Sequence, residues 1–257
     1  SQAFDNATNS ETVGAGNSFL FDNQVPTSTL VLPVNGTTYK TLANITGTAS
    51  DNSAGINKVQ VSIKNVTDNN YYNGTGWGGS EVWIDTTGTA SWSYTSPTWV
   101  SGKTYLVRSK ALDNASNSET AGSGNSFIFD DTAPSSNIVA PVNGNTYNSL
   151  SNITGTAVDT TSTVVTVKLN IKNTTDTTYW NGGAWVSSDT WLDATGTTNW
   201  NYNIASWVSG KNYLVKSQAT DSIGNIETVG SGVSLFFDNA SPTSTVVSPT
   251  NGTTLKS

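Results

Sequence analysis

Many short segments of the sequence alternate apolar and polar residues with a period of two. In KVQVSIK, which begins at Lys58, the apolar residues Val59, Val61 and Ile63 alternate with polar residues. Successive side chains of a β-strand point to opposite faces of a sheet, so this pattern predicts a half-buried strand. Helical spacing with capping residues is not convincing in any segment. The pattern therefore predicts an all-β chain.

The sequence also repeats at a fixed interval. Phe21, Phe129 and Phe237 begin the related motifs FDNQVPTS, FDDTAPSS and FDNASPTS, and neighbouring copies are 108 residues apart. NITGTA recurs at the same interval, from Asn44 to Asn152. An interval of domain size indicates tandem domains. The predicted domains are the F–G loop and last strand of a preceding repeat (1–23), two full repeats (24–131 and 132–239), and the first strand of a following repeat (240–257).

Turn residues separate the predicted strands. Asn35-Gly36 and Asn73-Gly74 are dipeptides favoured in hairpins because both residue types tolerate a positive φ. We expect about seven or eight short strands in each repeat, which is typical of an immunoglobulin-like (Ig-like) sandwich of roughly 100 residues. The fold class predicted is tandem Ig-like β-sandwich domains in an extended array. Trp83 and Trp92, with Trp191 and Trp200 as counterparts, are expected to pack in the core or in hairpins.

The motifs resemble bacterial and archaeal extracellular Ig-like repeats. The resemblance rests on ITGTASD, VQVSIK, YYNGTGW, YLVRSKALDNASNSE and FIFDDTAP, and it covers both full repeats and both partial ends. It implies an extracellular or cell-surface location and a role in the stalk of an adhesin, a biofilm matrix protein or a surface filament. Some relatives bind calcium between domains. The chain departs from the usual Gly-Asn of the F–G loop at Ser116-Asn117, whereas Gly224-Asn225 keeps it.

The composition narrows the possible functions. The 257 residues carry a net charge of −7, and the acidic residues are spread along the chain, which argues against a nucleic-acid partner. The absence of Cys and His removes the usual triads, thiolate sites and zinc ligands. Most acidic residues recur in both repeats, as Asp85 and Asp193 do, and active sites are seldom duplicated in this way. We therefore predict no enzymatic activity. No apolar run in the sequence approaches the roughly 18 residues that a membrane-spanning helix needs.

Calcium is the candidate cofactor, since it takes about six to eight oxygen ligands from carboxylates, carbonyls and amides. In an Ig-like sandwich the N-terminus, the B–C loop and the F–G loop share one end, so the end of one repeat should meet the loops of the next. The predicted metal ligands are Asp22, Asp51, Asp113, Asn117 and Glu119 at the first junction, and Asp130, Asp131, Asp159, Asp221, Asn225 and Glu227 at the second. The alternative is that these residues cap turns and discourage edge-to-edge pairing.

A second functional hypothesis is a glycan- or surface-binding adhesin module. Its candidate aromatic platforms are Trp77, Trp99, Trp180, Trp185 and Trp207, which lie in loop-like contexts. The alternative is that these rings cover the open ends of a small core.

Possible N-glycosylation sites are Asn35, Asn65, Asn73, Asn114 and Asn173. The partners expected for a stalk are neighbouring repeats or identical chains. The partial ends lack strands B to F, so they need the rest of an array or a neighbouring chain.

Overall fold

The computed structural model describes residues 1–204, 206–248, 250–254 and 256. The chain separates into two compact units, Ser1–Asp130 and Asp131–Ser257, and each is described by itself. Every regular element in the described residues is a β-strand. The chain is therefore all-β, as the alternation of apolar and polar residues predicts.

The first unit contains eleven strands: β1 (Thr27–Leu32), β2 (Thr37–Tyr39), β3 (Asn44–Ser50), β4 (Ile56–Asn65), β5 (Asn70–Tyr72), β6 (Trp77–Gly78), β7 (Ile84–Asp85), β8 (Thr87–Gly88), β9 (Ser91–Thr95), β10 (Lys103–Asp113) and β11 (Asn125–Phe129). The described residues of the second unit also contain eleven: β12 (Ser135–Ala140), β13 (Asn145–Tyr147), β14 (Asn152–Val158), β15 (Val164–Asn173), β16 (Thr178–Trp180), β17 (Trp185–Val186), β18 (Leu192–Asp193), β19 (Thr195–Gly196), β20 (Asn199–Asn203), β21 (Lys211–Asp221) and β22 (Val233–Phe237). The number exceeds the expected seven or eight because several hairpin arms form ladders of only two or three residues.

Each unit is a sandwich of two sheets. In the first unit the smaller sheet has the order β1-β3-β9-β8, and the larger has the order β2-β11-β10-β4-β5-β6, with β7 paired to β4. The second unit has the same two orders with the equivalent strands. These orders match the A-B-E-D and G-F-C arrangement of an Ig-like sandwich, in which β3, β4, β10 and β11 are strands B, C, F and G. The first strand is divided between the sheets, because β1 joins the smaller and β2 the larger.

The core lies between the sheets and is built from every second residue of the strands, the ones whose side chains face inward. On β4 and β10 the inward residues include Val59, Val61, Ile63, Tyr105 and Val107, and none of them is exposed to solvent. The second unit buries the equivalent residues of β15 and β21 in a cluster of its own. Burial of these large side chains is the main stabilising contribution in each unit.

The terminal strand pair of each full repeat is parallel. Phe127 to Phe129 of β11 pair with Thr37 to Tyr39 of β2, and β13 pairs with β22 in the same way. The ladder is extended at its ends by hydrogen bonds from Gly36 N to Ser126 O (2.7 Å) and from Asp130 N to Tyr39 O (2.9 Å).

The two partial repeats differ from the prediction, because their described residues contain no assigned strand. Residues 1–23 form one isolated bridge, Phe4 with Ser10, and residues of 240–257 form turns and irregular chain. Phe19 and Phe21, whose counterparts Phe127 and Phe129 are buried, are 89% and 78% exposed. A strand requires a neighbour that completes its hydrogen bonds, and the sequence of these segments does not include strands B to F.

Gly47 marks the tightest contact in the smaller sheet. A Cβ at this position would lie 2.2 Å from both Thr29 O and Trp92 Cζ2. Trp92 is almost fully buried, so its indole ring cannot retreat into solvent. Gly155 of the second unit is in the same position against Trp200. The absence of a side chain at this point lets the Trp ring lie against the backbone of the neighbouring strand.

We predict that Gly47→Ala destabilises the first unit by about 1–3 kcal/mol or more, because the added methyl group must displace both a strand carbonyl and a buried ring. Gly79→Ala is the control, since a Cβ at Gly79 would meet no atom within 4 Å. Urea unfolding followed by tryptophan fluorescence measures both. Equal stability of the two variants would contradict the tight packing at Gly47.

Candidate metal centre

Three carboxylates converge at one end of the first unit. Asp22 precedes β1, Asp51 follows β3, and Asp113 is the last residue of β10. One oxygen atom from each lies within 4.8 Å of the others. The topology of an Ig-like sandwich predicts this meeting of the N-terminal segment with the B–C and F–G loops. Three of the five residues predicted for the first junction thus lie together, and the ion itself stays a prediction.

Asp51 combines a turn-capping role with a free ligand atom. Its Oδ2 accepts hydrogen bonds from the backbone N–H groups of Ser53 (2.9 Å) and Gly55 (2.8 Å). The hydrogen bond from Ser53 is the main cause that holds the pKa of Asp51 below its ordinary value. Its Oδ1 is buried and accepts no hydrogen bond from the described residues. A buried carboxylate oxygen without a donor fits a site for a cation or a water molecule.

The F–G loop holds the second carboxylate. Asp113 is only 1% exposed, and its Oδ1 accepts a hydrogen bond from Asn117 N at 2.8 Å. The side-chain Nδ2 of Asn117 donates to Asp113 Oδ2 at 2.8 Å and to the backbone oxygen of Asp22 at 3.2 Å. The structure therefore gives Asn117, a predicted ligand, the role of a donor that positions both Asp113 and the chain at Asp22.

Asp22 contributes the third carboxylate from the segment that enters the domain. Its Oδ2 accepts a hydrogen bond from Ala54 N at 2.9 Å, in the B–C loop, and its Oδ1 accepts one from Gln24 N at 3.0 Å. The first of these bonds ties the entering segment to the loop that also carries Asp51. The three carboxylates are therefore ordered by backbone N–H groups of the same end of the fold.

Glu119 does not belong to this group, contrary to the prediction. Its Oε1 accepts a hydrogen bond from Ser28 N at 3.0 Å, and its Oε2 accepts one from Ala111 N at 2.9 Å. Ser28 lies in the smaller sheet and Ala111 in the larger, so this carboxylate joins the two sheets. Glu227 repeats the arrangement with Ser136 N (2.7 Å) and Ala219 N (2.8 Å). The F–G loop folds back along β10, beyond the end of β11, and this brings Glu119 to the open edge of the strand.

The second unit repeats the loop chemistry of the first. Asp159 Oδ1 accepts hydrogen bonds from Thr161 N (2.8 Å) and Ser162 N (2.6 Å). Asp221 accepts from the backbone and side-chain nitrogens of Asn225, each at 2.7 Å. Burial raises the pKa of Asp221, but these bonds outweigh burial and leave it below its ordinary value. The hydroxyl of Ser162 donates to both carboxylates.

The residues predicted to complete the second site stand at the ends of the two units. Asp130 is the last residue of the first unit, and its Oδ1 accepts a hydrogen bond from Ser101 Oγ at 3.1 Å. Asp131, the first residue of the second unit, is exposed. The second predicted metal set stays a prediction.

The five tryptophans considered as glycan platforms all contribute to the cores. Trp99 and Trp180 are buried, and Trp77, Trp185 and Trp207 are half-buried against the core clusters. The indole N–H groups of Trp99 and Trp207 donate to the backbone oxygens of Leu42 (3.0 Å) and Leu150 (2.6 Å). The structure thus corresponds to the alternative in which these rings cover the ends of the core.

The five possible N-glycosylation sites differ in how far their Asn side chains are exposed to solvent. Asn65 and Asn173 are 4% and 1% exposed, and their side-chain amides cap turns at Asp68 and Asp176. A glycan on either would not fit the folded domain. Asn35, Asn73 and Asn114 are exposed. Asn73 lies at a hairpin tip, where its Oδ1 accepts hydrogen bonds from Thr75 and Gly76.

Comparison with known protein families finds one match, within the first repeat. Residues 26–120 match the family described as a bacterial Ig domain. The first repeat is therefore similar to bacterial Ig domains over most of its length. The second repeat has the same strand orders, and its sequence follows the first at an interval of 108 residues. None of the curated proteins compared with the sequence matches it.

Solved structures of tandem sandwich domains also resemble the chain. Fibronectin(III)-like modules of Clostridium thermocellum CbhA are 18% identical, cover 82% of this chain and 94% of their own, and give a TM-score of 0.36. Domains A168–A170 of titin are 12% identical, cover 82% of this chain and 65% of their own, and give a TM-score of 0.42. These values carry no functional argument. The described residues contain no helix long and apolar enough to cross a membrane.

We predict that the first repeat loses stability below about pH 4 partly through Asp51. Its folded pKa is below the unfolded value of about 3.9, so its contribution is present above that pH and is lost as pH falls through the folded pKa. In the presence of a chelator, the free energy of unfolding should depend less on pH in this range for Asp51→Asn than for the wild type. Urea unfolding at a series of pH values measures it. Asp193→Asn, at an exposed carboxylate, is the control. Parallel curves for the wild type and Asp51→Asn would contradict the prediction.

Proposed function

We propose that the chain is a structural repeat region of an extracellular surface protein, in which Ig-like domains join end to end as a stalk or filament. The observation that carries the proposal is the equivalence of the two full repeats. They share strand order, loop lengths and the positions of the capping acids, and they differ mainly in surface residues. A module specialised for one ligand would be expected to carry a distinctive loop in one copy.

The proposed role of calcium is to stiffen the junction between neighbouring repeats. Asp22 lies 108 residues before Asp130, so by the repeat it corresponds to the residue that follows the last strand of a domain. Asp51 and Asp113 lie in the B–C loop and at the start of the F–G loop of the following domain. A cation held by all three would couple the entering segment to both loops. Hard oxygen ligands of this kind suit Ca²⁺, with backbone carbonyls and water to complete its coordination.

The electrostatics of the group favour a bound cation. The three carboxylates lie within 4.8 Å of one another, and like charges at this separation repel, most strongly where water is excluded. The hydrogen bonds from backbone N–H groups hold the carboxylates in place in spite of this repulsion. A divalent ion would replace repulsion by attraction. At a free calcium concentration tenfold above Kd, binding would stabilise the folded domain by about 1.4 kcal/mol.

The same contacts favour a non-catalytic role. A general acid or base must present an oxygen to a substrate, whereas both oxygens of Glu119 and of Asp113 accept hydrogen bonds from their own domain. Both acids recur in the second repeat with the same partners. These carboxylates therefore hold the loops of their own domain in place.

We predict that calcium raises the Tm of the chain and that a chelator such as EGTA reverses the effect, measured by calorimetry. Asp22→Asn should reduce the response, because it removes one ligand charge. This variant should still fold, since its carboxylate accepts hydrogen bonds only at Ala54 and Gln24, outside the strands.

Asp85→Asn is the matched control, because it removes an equal charge on β7, away from the three carboxylates. Magnesium at the same concentration tests selectivity and should stabilise less. A Tm that does not change with calcium would exclude the metal role. An equal loss of response in Asp22→Asn and Asp85→Asn would show that the effect is general screening of acidic charge.

A further inference from the structure

Two tryptophans among the described residues lie outside both core clusters. These are Trp83 and Trp191, which the sequence predicts to be core or hairpin residues. Both are half-buried. Trp83 directly precedes Ile84, which packs on the core from β7, so the alternation of strand side chains places Trp83 on the outer face of the larger sheet. Tyr71 and its counterpart Tyr179 also lie outside the core clusters.

The basic residues concentrate on the same outer faces. The outward positions of β4 and β10 carry four cations, and those of β15 and β21 carry three: Lys58, Lys64, Arg108, Lys110, Lys168, Lys172 and Lys216. The chain has 11 basic residues in all and a net charge of −7. Most of its positive charge therefore lies on one sheet face of each domain.

Acidic residues neutralise this face only in part. Arg108 pairs with Glu81, Lys58 with Asp85 at 3.1 Å, and Lys168 with Asp193 at 3.5 Å. Burial raises the pKa of Glu81, but hydrogen bonds from Ser62 and Arg108 outweigh it and keep the carboxylate ionised at neutral pH. With Asp189, which accepts a hydrogen bond from Asn170, four acids oppose seven cations on the two faces. The faces remain positive in an acidic protein.

Cations and aromatic rings are adjacent on the face of the first repeat. Lys110 Nζ lies 4.4 Å from the ring centre of Trp83, and Arg108 Cζ lies 5.6 Å from it. Lys64 Nζ lies 5.3 Å from the ring centre of Tyr71. The ring of Trp83 thus reaches across β4 to β10, and Ser62 beneath this crossing is 2% exposed. Two positively charged groups therefore lie over the ring of Trp83, and together they form a surface that is both aromatic and cationic.

We propose that this outer face of the first repeat, formed by Tyr71, Trp83, Arg108 and Lys110, binds an acidic polysaccharide. The ring of Trp83 stacks on a sugar ring, and Arg108 and Lys110 pair with carboxylates of the polymer. Arg108 meets Glu81 through Nη2 and keeps its other guanidinium N–H groups, and the planar fork of an Arg matches a carboxylate. The proposal goes beyond the stalk role, since it gives the stalk a surface that holds it in an acidic matrix.

The charge distribution favours an acidic polysaccharide over a nucleic acid. Duplex DNA carries one charge per about 1.7 Å, and proteins that bind it present a strongly basic surface. Here the positive face is small and the whole chain is acidic. A polymer of uronic acids has one carboxylate on each sugar and an apolar ring face between charges. That chemistry matches a face on which cations alternate with aromatic rings.

The second repeat provides an internal comparison. Trp191 is retained, but Lys216 stands in the place of Arg108 and Gln218 in the place of Lys110. One cation, Lys216, therefore takes the place of the two that lie over the ring of Trp83 in the first repeat. We expect the second repeat to bind acidic polysaccharide more weakly, and Gln218→Lys to strengthen its binding.

The test uses the full chain and alginate oligosaccharides in the presence of a chelator, with calorimetry or biolayer interferometry as the readout. Binding that weakens with salt is expected for alginate, and none for dextran, which is neutral. Lys110→Gln should weaken binding at least fivefold, and Trp83→Ala should weaken it with the Tm of the chain measured in parallel. Lys40→Gln is the control, because it removes the same charge from an exposed site after β2.

A gain of binding in Gln218→Lys would support the proposal without dependence on any destabilised variant. The absence of alginate binding would overturn it. An equal loss in Lys40→Gln and Lys110→Gln would also overturn it, because only overall charge would then matter. Tighter binding of single-stranded DNA than of alginate would assign the face to nucleic acid instead. Calcium binding is tested separately, so failure of either proposal leaves the other intact.

Discussion

The register between β4 and β10 fixes most of the properties of the first domain. The two strands pair without interruption from Tyr105 and Asn65 to Leu112 and Lys58, and one irregularity follows at Asp113. Inward residues of both strands make the core, and outward residues make the basic face. Asp113, at the end of the ladder, enters the carboxylate group. A shift by one residue would exchange these two faces, so core, charge and site depend on one pairing.

The carboxylates of the loops serve structure and ligand binding together. Asp51 uses one oxygen to cap its turn and leaves the other buried without a donor, so turn capping and metal binding are not exclusive alternatives at this residue. Glu119 uses both oxygens to join the sheets, and it lies outside the group of carboxylates that converge. The place of each carboxylate in the fold, at the loop end or between the sheets, decides which role it takes.

Much of the architecture follows from the sequence, because strand alternation and the 108-residue interval are regular signals. Sandwich topology also predicts that Asp22, Asp51 and Asp113 meet, since each stands at a strand end. Glu119 is different, because its position depends on how a long loop folds back on β10. The roles of the tryptophans depend on the irregular segments around 73–85 and 181–193. The strands there are only two or three residues long, so they show no alternation from which the inward side chains could be predicted. The sequence therefore leaves Trp77 between a surface platform and a cover of the core, and Trp83 between the core and a hairpin. The structure packs Trp77 against the core and leaves Trp83 outside the core cluster.

The parallel pairing of β2 with β11 has a mechanical consequence. β2 follows β1 after the chain enters a repeat, β11 is the last strand before the chain leaves it, and β2 and β11 run in the same direction. Tension between the two ends of a repeat therefore slides one strand along the other. The hydrogen bonds from Gly36–Ser126 to Asp130–Tyr39 then carry the load together, whereas a hairpin pulled open at one end would lose its bonds one at a time. A domain built in this way resists extension through the ladder of β2 and β11 before its core is disturbed.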